Sequence, residues 1–559
     1  MMQQQDIEQS TKQLIDDIKS TCGAYGLGND GNEYKIIVQM FLYKYFNDKF
    51  AYEAKKSVVY GERLRNATTW DAEYNNFTED EYLDLFDYLP AGTPKLRPQY
   101  TISHLYNCAN QGAFASLLDS TMVAIARAPE NADVFSMATV GKTKLDIFEN
   151  ITVYVPDMEQ RDNFARALVS KIANPLTNFE PMFSKKYDFF STMFEYLIKD
   201  YNKDGGGKYA EYYTPRSIAQ IMARLLVGND TDLRGKTCYD PSAGSGTLLM
   251  ALAHEIEKDG SDRCTLYSQD ISQKSSKMLR LNLILNNQVS SIPNIIQGNT
   301  LTSPAHKESD GTLKRFDYIV SNPPFKLDFP DERNIVAADA LRFWAGVPNA
   351  PTTIDPDKPK MEIYTCFIQH MIYSLKAGTG KGAIVVPTGF ITAKSGIKLK
   401  ILKHIVDEHI VYGCVSMPSN VFATTGTNVS VLFFDKSKKH DKVMLIDASK
   451  LGEEYKDGNT QRTRLRDKEI DLIVNTFINK ETVDDFSVEV SFDEIKGKGY
   501  SLSAGQYFDI KIEYVDITED EFNKRVANYQ ETLTKEFEDS HKLEAEILSQ
   551  LKQLRYEGI

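Results

Sequence analysis

No apolar run in this chain is long enough to span a bilayer, and residues 1–30 carry no signal-peptide pattern. Both absences point to the cytosol. Cysteine is sparse, and its six copies (Cys22, Cys108, Cys238, Cys264, Cys366, Cys414) include no C-x-x-C pair. A zinc ribbon or disulfide framework is therefore not expected. There is no H-E-x-x-H, and His404 and His409 read as helix-end residues, so no metal site is expected. P-loop spacing is missing as well. Gly141-Lys142-Thr143, Gly235-Lys236-Thr237 and Gly380-Lys381-Gly382 all fail it, which argues against ATP hydrolysis. No cysteine follows a proline as in Pro-Cys-Gln, so covalent attack on a cytosine ring has no nucleophile. Positive charge is in deficit, with 65 Lys and Arg against 78 Asp and Glu and a formal net charge of −13. A local basic groove can still bind nucleic acid, but a partner would have to carry much of the affinity.

What is present is a chain of 559 residues with 42% hydrophobic content, enough for two to four domains with real cores. Residues 1–170 read as a helical module. Its run from Glu33 to Lys56 carries apolar side chains nearly all round a helix, as a buried helix does. From Lys236 to Lys436 short apolar runs alternate with helical patterns. Strands are predicted at Lys236–Asp240, Thr265–Asp270, Asn294–Gln297, Phe316–Ser321, Gly382–Val386, Ile410–Met417 and Asn428–Phe434. Helices are predicted at Thr247–Ile256, Ser272–Asn287, Glu362–Leu375 and Ser395–Asp407. This alternation predicts a mostly parallel, doubly wound sheet within a domain at 171–480. Residues 326–360 are a long proline-containing connection, expected over the site, with Trp344 read as a packing anchor ahead of a substrate contact. Residues 440–513 read as a mixed, charged connection. In the extension at 481–559, Phe522, Val526, Tyr529, Leu533, Phe537, Leu543, Ile547, Leu551 and Leu554 form one apolar seam on a charged helix, which calls for a partner helix, on another subunit in preference to its own domain.

Three stretches carry chemistry. Asp240-Pro241-Ser242-Ala243-Gly244-Ser245-Gly246 follows a strand and opens a helix, the context of a nucleotide-type glycine loop. Asp240 can accept from an amine or water. Asp270 ends the next strand, where a carboxylate can take ribose hydroxyls or simply start a helix. Asn299 ends the third strand and either faces an adenine edge or shapes a turn. The second stretch, Ser321-Asn322-Pro323-Pro324-Phe325, ends a buried strand at a rigid corner. Asn322 and the proline carbonyls offer acceptors and Phe325 a flat apolar face, a set that can grip a planar group bearing an exocyclic NH2. The bland alternative is a strand ending in a proline turn. The third stretch is Glu211-Tyr212-Tyr213-Thr214-Pro215-Arg216. Thr214 is placed as an N-cap and Pro215 in the first turn of the helix from Ile218, and a capped helix explains it as well as a ligand site does.

Together these residues resemble an S-adenosylmethionine-dependent amino-methyltransferase, with DPSAGSG similar to the family's methionine-binding motif and SNPPF to its catalytic motif. The order of the two is that of N6-adenine DNA methyltransferases of the gamma arrangement. Glu211–Arg216, Gly380–Gly389 and Thr427–Phe434 are similar to segments of the methylation subunits of type I restriction–modification systems, and the resemblance spans nearly the whole chain. Asp270 departs from the glutamate more common there. The resemblance implies a Rossmann-like sheet between a helical N-terminal domain and a long C-terminal helix. It implies S-adenosyl-L-methionine held by Glu211, Tyr212, Tyr213, Thr214, Pro215, Arg216, Asp240, Ser242, Ala243, Gly244, Gly246, Asp270 and Asn299. It assigns catalysis to Asn322, Pro323, Pro324 and Phe325. The partners it implies are DNA, a specificity subunit, a second methylation subunit and a restriction translocase. A protein glutamine methyltransferase shares the corner but is much shorter. A self-sufficient restriction–methylation enzyme needs target-reading domains that have no room here. A non-catalytic scaffold would keep the fold without the activity.

Overall fold

The computed structural model describes residues 2–28, 31–135, 148–183, 193, 196, 214–258, 264–350, 361–422, 428–457, 460–508 and 517–553. The segment Glu211–Tyr213, the Gly141-Lys142-Thr143 tripeptide, Pro351, Pro356 and Pro359, and Leu554 lie outside the described residues. The chain divides into two compact units, Met1–Phe508 and Asp509–Ile559.

The first unit is built on a nine-stranded sheet. Its strands are β1 (Thr237–Asp240), β2 (Thr265–Asp270), β3 (Ile295–Gln297), β4 (Tyr318–Ser321), β5 (Lys381–Pro387), β6 (Val411–Ser416), β7 (Val429–Asp435), β8 (Lys442–Asp447) and, after a separate two-stranded ribbon of β9 (Glu453–Asp457) and β10 (Thr460–Arg464), β11 (Ser487–Ser491). The spatial order is β11-β8-β6-β7-β5-β4-β1-β2-β3. Strands β3, β2, β1, β4 and β5 are mutually parallel, and β7 inserts antiparallel between β5 and β6. Because β6 opposes β7 and β8 runs with β6, the C-terminal ends of β1, β2, β4, β5, β6 and β8 share one edge. The alternating strand and helix pattern thus yields the predicted α/β sheet, with β7 and the edge strand β11 as antiparallel members that periodicity does not reveal. The stretch read as a charged connection supplies β8 and β11. Val443 and Leu445 of β8 are buried on one face of the sheet and Met444 and Ile446 on the other, so this strand is a core element.

The sheet strands are short and buried on both faces, as in parallel sheets covered by helices. In β4 all of Tyr318, Ile319, Val320 and Ser321 are buried. One face packs on the Arg216–Val227 and Thr247–Glu257 helices, the other on the Tyr364–Ser374 and Gly396–Asp407 helices. The helix Gly31–Ala54 is buried nearly all round, with Ile36, Met40, Phe41, Tyr43, Phe46 and Phe50 inaccessible. Its polar residues are paired within the core: Lys44 Nζ donates to Asp48 Oδ1 at 2.9 Å, and Asp48 Oδ2 accepts from Phe179 N at 3.0 Å. Tyr45 Oη donates to Ile284 O at 3.1 Å, which ties the helical module to the Gln273–Leu285 helix beside the sheet. The connection after the proline corner packs down through Phe329, Val336, Phe343 and Val347, all buried. Trp344 sits on His404 with ring centroids 4.0 Å apart, so it does act as a packing anchor.

Among its described residues the second unit holds one helix, Glu519–Gln553. It starts at Thr518, whose hydroxyl accepts from Glu521 N at 3.3 Å.

Candidate active site

The glycine loop leaves β1 through Asp240, whose side chain is buried in the strand's end. Asp240 Oδ1 accepts from Ser242 N at 2.9 Å and so shapes the turn. Gly246 closes the loop with φ +83°, a conformation that costs L side chains about 1–2 kcal/mol. A Cβ there would also stand 2.0 Å from Leu279 Cδ1, so any other residue would force the Leu279 side chain of the Gln273–Leu285 helix to shift. Asp270, at the end of β2, ties the loop down: Oδ2 accepts from Gly244 N at 2.9 Å and Oδ1 from Ser272 N at 2.8 Å. A carboxylate has about four acceptor sites, so two remain. Ile271 beside it is 63% exposed, an apolar side chain that a planar ring can cover.

Electrostatics single out Asp240. Burial pushes its carboxyl up to about 8; the Ser242 N–H opposes this and the nearby Asp270 charge adds to it. Burial also raises Asp270, against the N–H bonds of Gly244 and Ser272. A buried acid with a raised pKa is poised to ionise when a cation arrives.

The proline corner meets this loop directly. Ser242 Oγ and Ser321 Oγ lie 2.7 Å apart, joining the glycine loop to the residue before Asn322. Asn322, half-buried, donates from Nδ2 to Thr214 Oγ1 at 3.1 Å. Its Oδ1 has no donor among the described residues and stays available as an acceptor. Pro323 is buried, while Pro324 and Phe325 are partly exposed. Phe325 is steadied edge-on by Tyr364, with ring centroids 6.1 Å apart, which leaves a ring face open.

The sequence expectation for Thr214 needs correction. Thr214 does not cap the helix: Arg216–Val227 has Pro215 at its N-cap position and no side-chain cap bond. The Thr214 hydroxyl instead receives Asn322 from across the sheet edge. Asn299 shapes a turn, its Oδ1 accepting from Leu301 N at 3.0 Å and Thr302 N at 3.3 Å. Thr300 Oγ1 donates to Pro241 O at 2.7 Å and so braces the glycine loop from the β3 side. Asp240, Ser242, Ala243, Gly244, Gly246, Asp270 and Asn322–Phe325 thus gather on one sheet edge. Ser321, Thr300 and Ile271 were not singled out in the sequence. Among the described residues no group of three or more His, Cys, Asp and Glu could hold a metal ion.

The comparisons come down on one family. The family described as N-6 DNA Methylase matches residues 185–516, more than half of the chain. The methylase subunit of the type I restriction enzyme MpnII from Mycoplasma pneumoniae is 29% identical over 346 residues, covering 61% of this chain and 60% of that one. The MjaIX methylase subunit from Methanocaldococcus jannaschii is 27% identical over 369 residues, covering 64% and 61%. The chain thus spans about three fifths of the length of these curated relatives. The solved type I restriction-modification methyltransferase subunit from Streptococcus thermophilus superposes with a TM-score of 0.67 at 20% identity, covering 90% of this chain and 99% of that one; at that identity the likeness bears on the fold. These similarities agree with the resemblance drawn from the motifs. With the glycine loop, the acidic strand end and the proline corner on one edge of such a sheet, the chain belongs to the N-6 DNA methylase family.

Proposed function

We propose that the chain is the methylation subunit of a type I restriction–modification complex, and that it methylates N6 of adenine in a DNA sequence read by a partner specificity subunit. The observation that carries this reading is the Ser242–Ser321 hydrogen bond together with the orientation of Asn322. The first joins the cofactor loop to the corner. The second spends the donor end of Asn322 on Thr214 and leaves its acceptor end for an amine.

The residues fit S-adenosyl-L-methionine. Asp240 would answer a charged amine, the spare acceptor sites of Asp270 ribose hydroxyls, and Ile271 a purine face. The resemblance adds Glu211–Arg216, Ala243 and Asn299 to the contacts. When bound, the cofactor supplies an electrophilic methyl carbon. The chain's own work is positioning. The target adenine leaves the duplex at a cost of a few kcal/mol. Phe325 stacks on it, an interaction worth roughly 1–3 kcal/mol per base. Asn322 Oδ1 and the Pro323 carbonyl accept from the N6 protons, which keeps the nitrogen lone pair out of ring conjugation and aimed at the carbon. The proton lost on transfer passes to an acceptor at this corner or to solvent.

The acidic balance supports delegation of sequence reading to a specificity subunit. In the Glu519–Gln553 helix, Phe522, Tyr529, Leu533, Phe537 and Leu543 are between 53% and 64% exposed, which supports a helical partner there, either that subunit or a second copy of the chain. A restriction subunit joins such a complex for cleavage. The place of action is then the cytoplasm; no helix of the described residues is long and apolar enough to cross a membrane. Functionally we propose a division into 1–170, 171–480 and 481–559, the last lending β11 to the sheet before its helix. The test is mass spectrometry of DNA treated with this chain and its neighbouring-gene partners. N6-methyladenine is expected. N4-methylcytosine, or methyl transfer to a glutamine peptide and not to DNA, would overturn the proposal.

A further inference from the structure

The sheet edge that carries the proline corner continues beyond it and presents exposed lysines together with exposed acids, Asp328 and Asp331 after β4 and Glu453 and Glu454 in the ribbon. Lys326 follows β4, Lys394 follows β5, and Lys450 and Lys456 follow β8, the last within the β9–β10 ribbon. All four are exposed. None has a carboxylate within ion-pair distance among the described residues, whereas Lys376, Lys381 and Lys398 of the same sheet and helices are paired to Asp317, Asp230 and Glu362. The ribbon is fastened to this edge. Thr463 N donates to Asn420 O at 3.1 Å, and Arg462 Nη1 to Phe422 O at 3.3 Å, both on the segment leaving β6. Arg464 of the ribbon is paired with Glu453, and Arg466 just beyond the ribbon with Glu469 and, at 3.9 Å, with Glu453.

We propose that Lys326, Lys394, Lys450 and Lys456 form a phosphate-tracking edge by which this chain grips the DNA backbone on one side of the target adenine. The inference rests on the proposed DNA methylation and extends it to how the duplex is held. From β4 to β8 the sheet spans four strand spacings, about 19 Å at roughly 4.8 Å each. At about 3.4 Å of rise per phosphate on one strand, that covers roughly five to six nucleotides. Four long, flexible point charges over that length suit phosphates and carry no base code. On a chain of net charge −13, they give the duplex a landing strip beside the corner and leave sequence discrimination to the partner.

The test uses the chain assembled with its specificity partner. DNA affinity is measured against salt for the wild type, for a variant with Lys326, Lys394, Lys450 and Lys456 all changed to Ala, and for a Lys438→Ala, Lys439→Ala control. These control lysines are exposed and follow β7, at the opposite sheet edge. Each lost phosphate contact lowers the slope of log K against log salt by about 0.9, so the fourfold variant should lose about 3.6 and the control nothing. Sequence preference should not change. A fourfold variant that binds with the wild-type slope overturns the proposal. So does one that fails to assemble with the partner before DNA is added, since the lysines would then serve a protein contact. A wild-type complex that methylates no DNA fails the functional reading itself; one that methylates while the variants bind as it does fails only the edge.

Discussion

Asp240→Asn tests whether the buried acid at the loop is a cation receptor. Asparagine keeps the shape and the acceptor for Ser242 N, 2.9 Å away, but cannot ionise. In the wild type, burial moves the carboxyl from 3.8 to about 8. The folded state therefore binds this proton more tightly than the unfolded state. Its contribution to stability is whole below about pH 4 and declines by about 1.4 kcal/mol per unit until about pH 8. A charged amine placed against the carboxylate would draw the proton off. Binding that requires the ionised form then weakens about tenfold for each pH unit below 8. S-Adenosyl-L-methionine titrates its own amine identically against both proteins, so the ratio of the two dissociation constants isolates Asp240. Equilibrium dialysis between pH 6 and 9 should give a ratio, variant over wild type, that rises about tenfold from pH 6 to 7 and levels above 8. In thermal melts of the protein alone, the variant should gain on the wild type as pH rises. A ratio that stays flat across the range would refute the assignment, because Asp240 would then remain protonated with ligand bound.

Three further outcomes follow from the same geometry. Asn322→Ala should lower methylation by about 100-fold or more while cofactor binding persists; turnover near the wild-type rate in a methyl-transfer assay would reject its role. Gly246→Ala should cost about 2–5 kcal/mol in denaturant unfolding, from a left-handed backbone and the clash with Leu279, and should weaken cofactor binding. An unshifted midpoint would show that the loop tolerates a Cβ. Removal of 515–559 should weaken assembly with the specificity subunit and leave the melting of the remainder unchanged, and an intact complex on a sizing column would contradict this.

Strand positions were legible because the buried strands of a parallel sheet are short, nearly continuous apolar runs. Thr265–Asp270 was read to the residue, and Phe316–Ser321 only loses its first two residues to a bridge with Leu375 and a loop. Strand direction was not legible. Val429–Asp435 has the same apolar content whether it runs with or against β5, and only the crossover connection decides. β8 and β11 were hidden because Lys442, Glu489 and their charged neighbours flank short buried stretches. Thr214 shows a different limit. A threonine before Pro-Arg and a helix is what an N-cap looks like locally, and its actual partner lies 108 residues away. Glycine and carboxylate positions were readable because backbone geometry demands them; hydroxyl pairs such as Ser242–Ser321 were not, since either serine could have bonded to its own turn.

Those long-range hydrogen bonds also bear on how the proposed site, with no metal-holding cluster among the described residues, can be effective. Transfer between two bound groups gains most when donor and acceptor are held without slack, and a misplacement of 1 Å can cost about 100-fold. Here the donor loop is held from three directions: by Asp270 through Gly244 N, by Thr300 through Pro241 O, and by Ser321 through Ser242. The corner is held by two successive prolines and by Thr214. Three of these restraints cross between different strand ends and the fourth ties the corner to the segment before the Arg216–Val227 helix, so the relative position of loop and corner is set by the sheet and not by either loop alone. A sheet of short, fully buried strands is a stiff ruler for that purpose. This predicts that changes in the sheet core beneath the site, such as Ile319→Val in β4, act on transfer rate before they act on cofactor affinity.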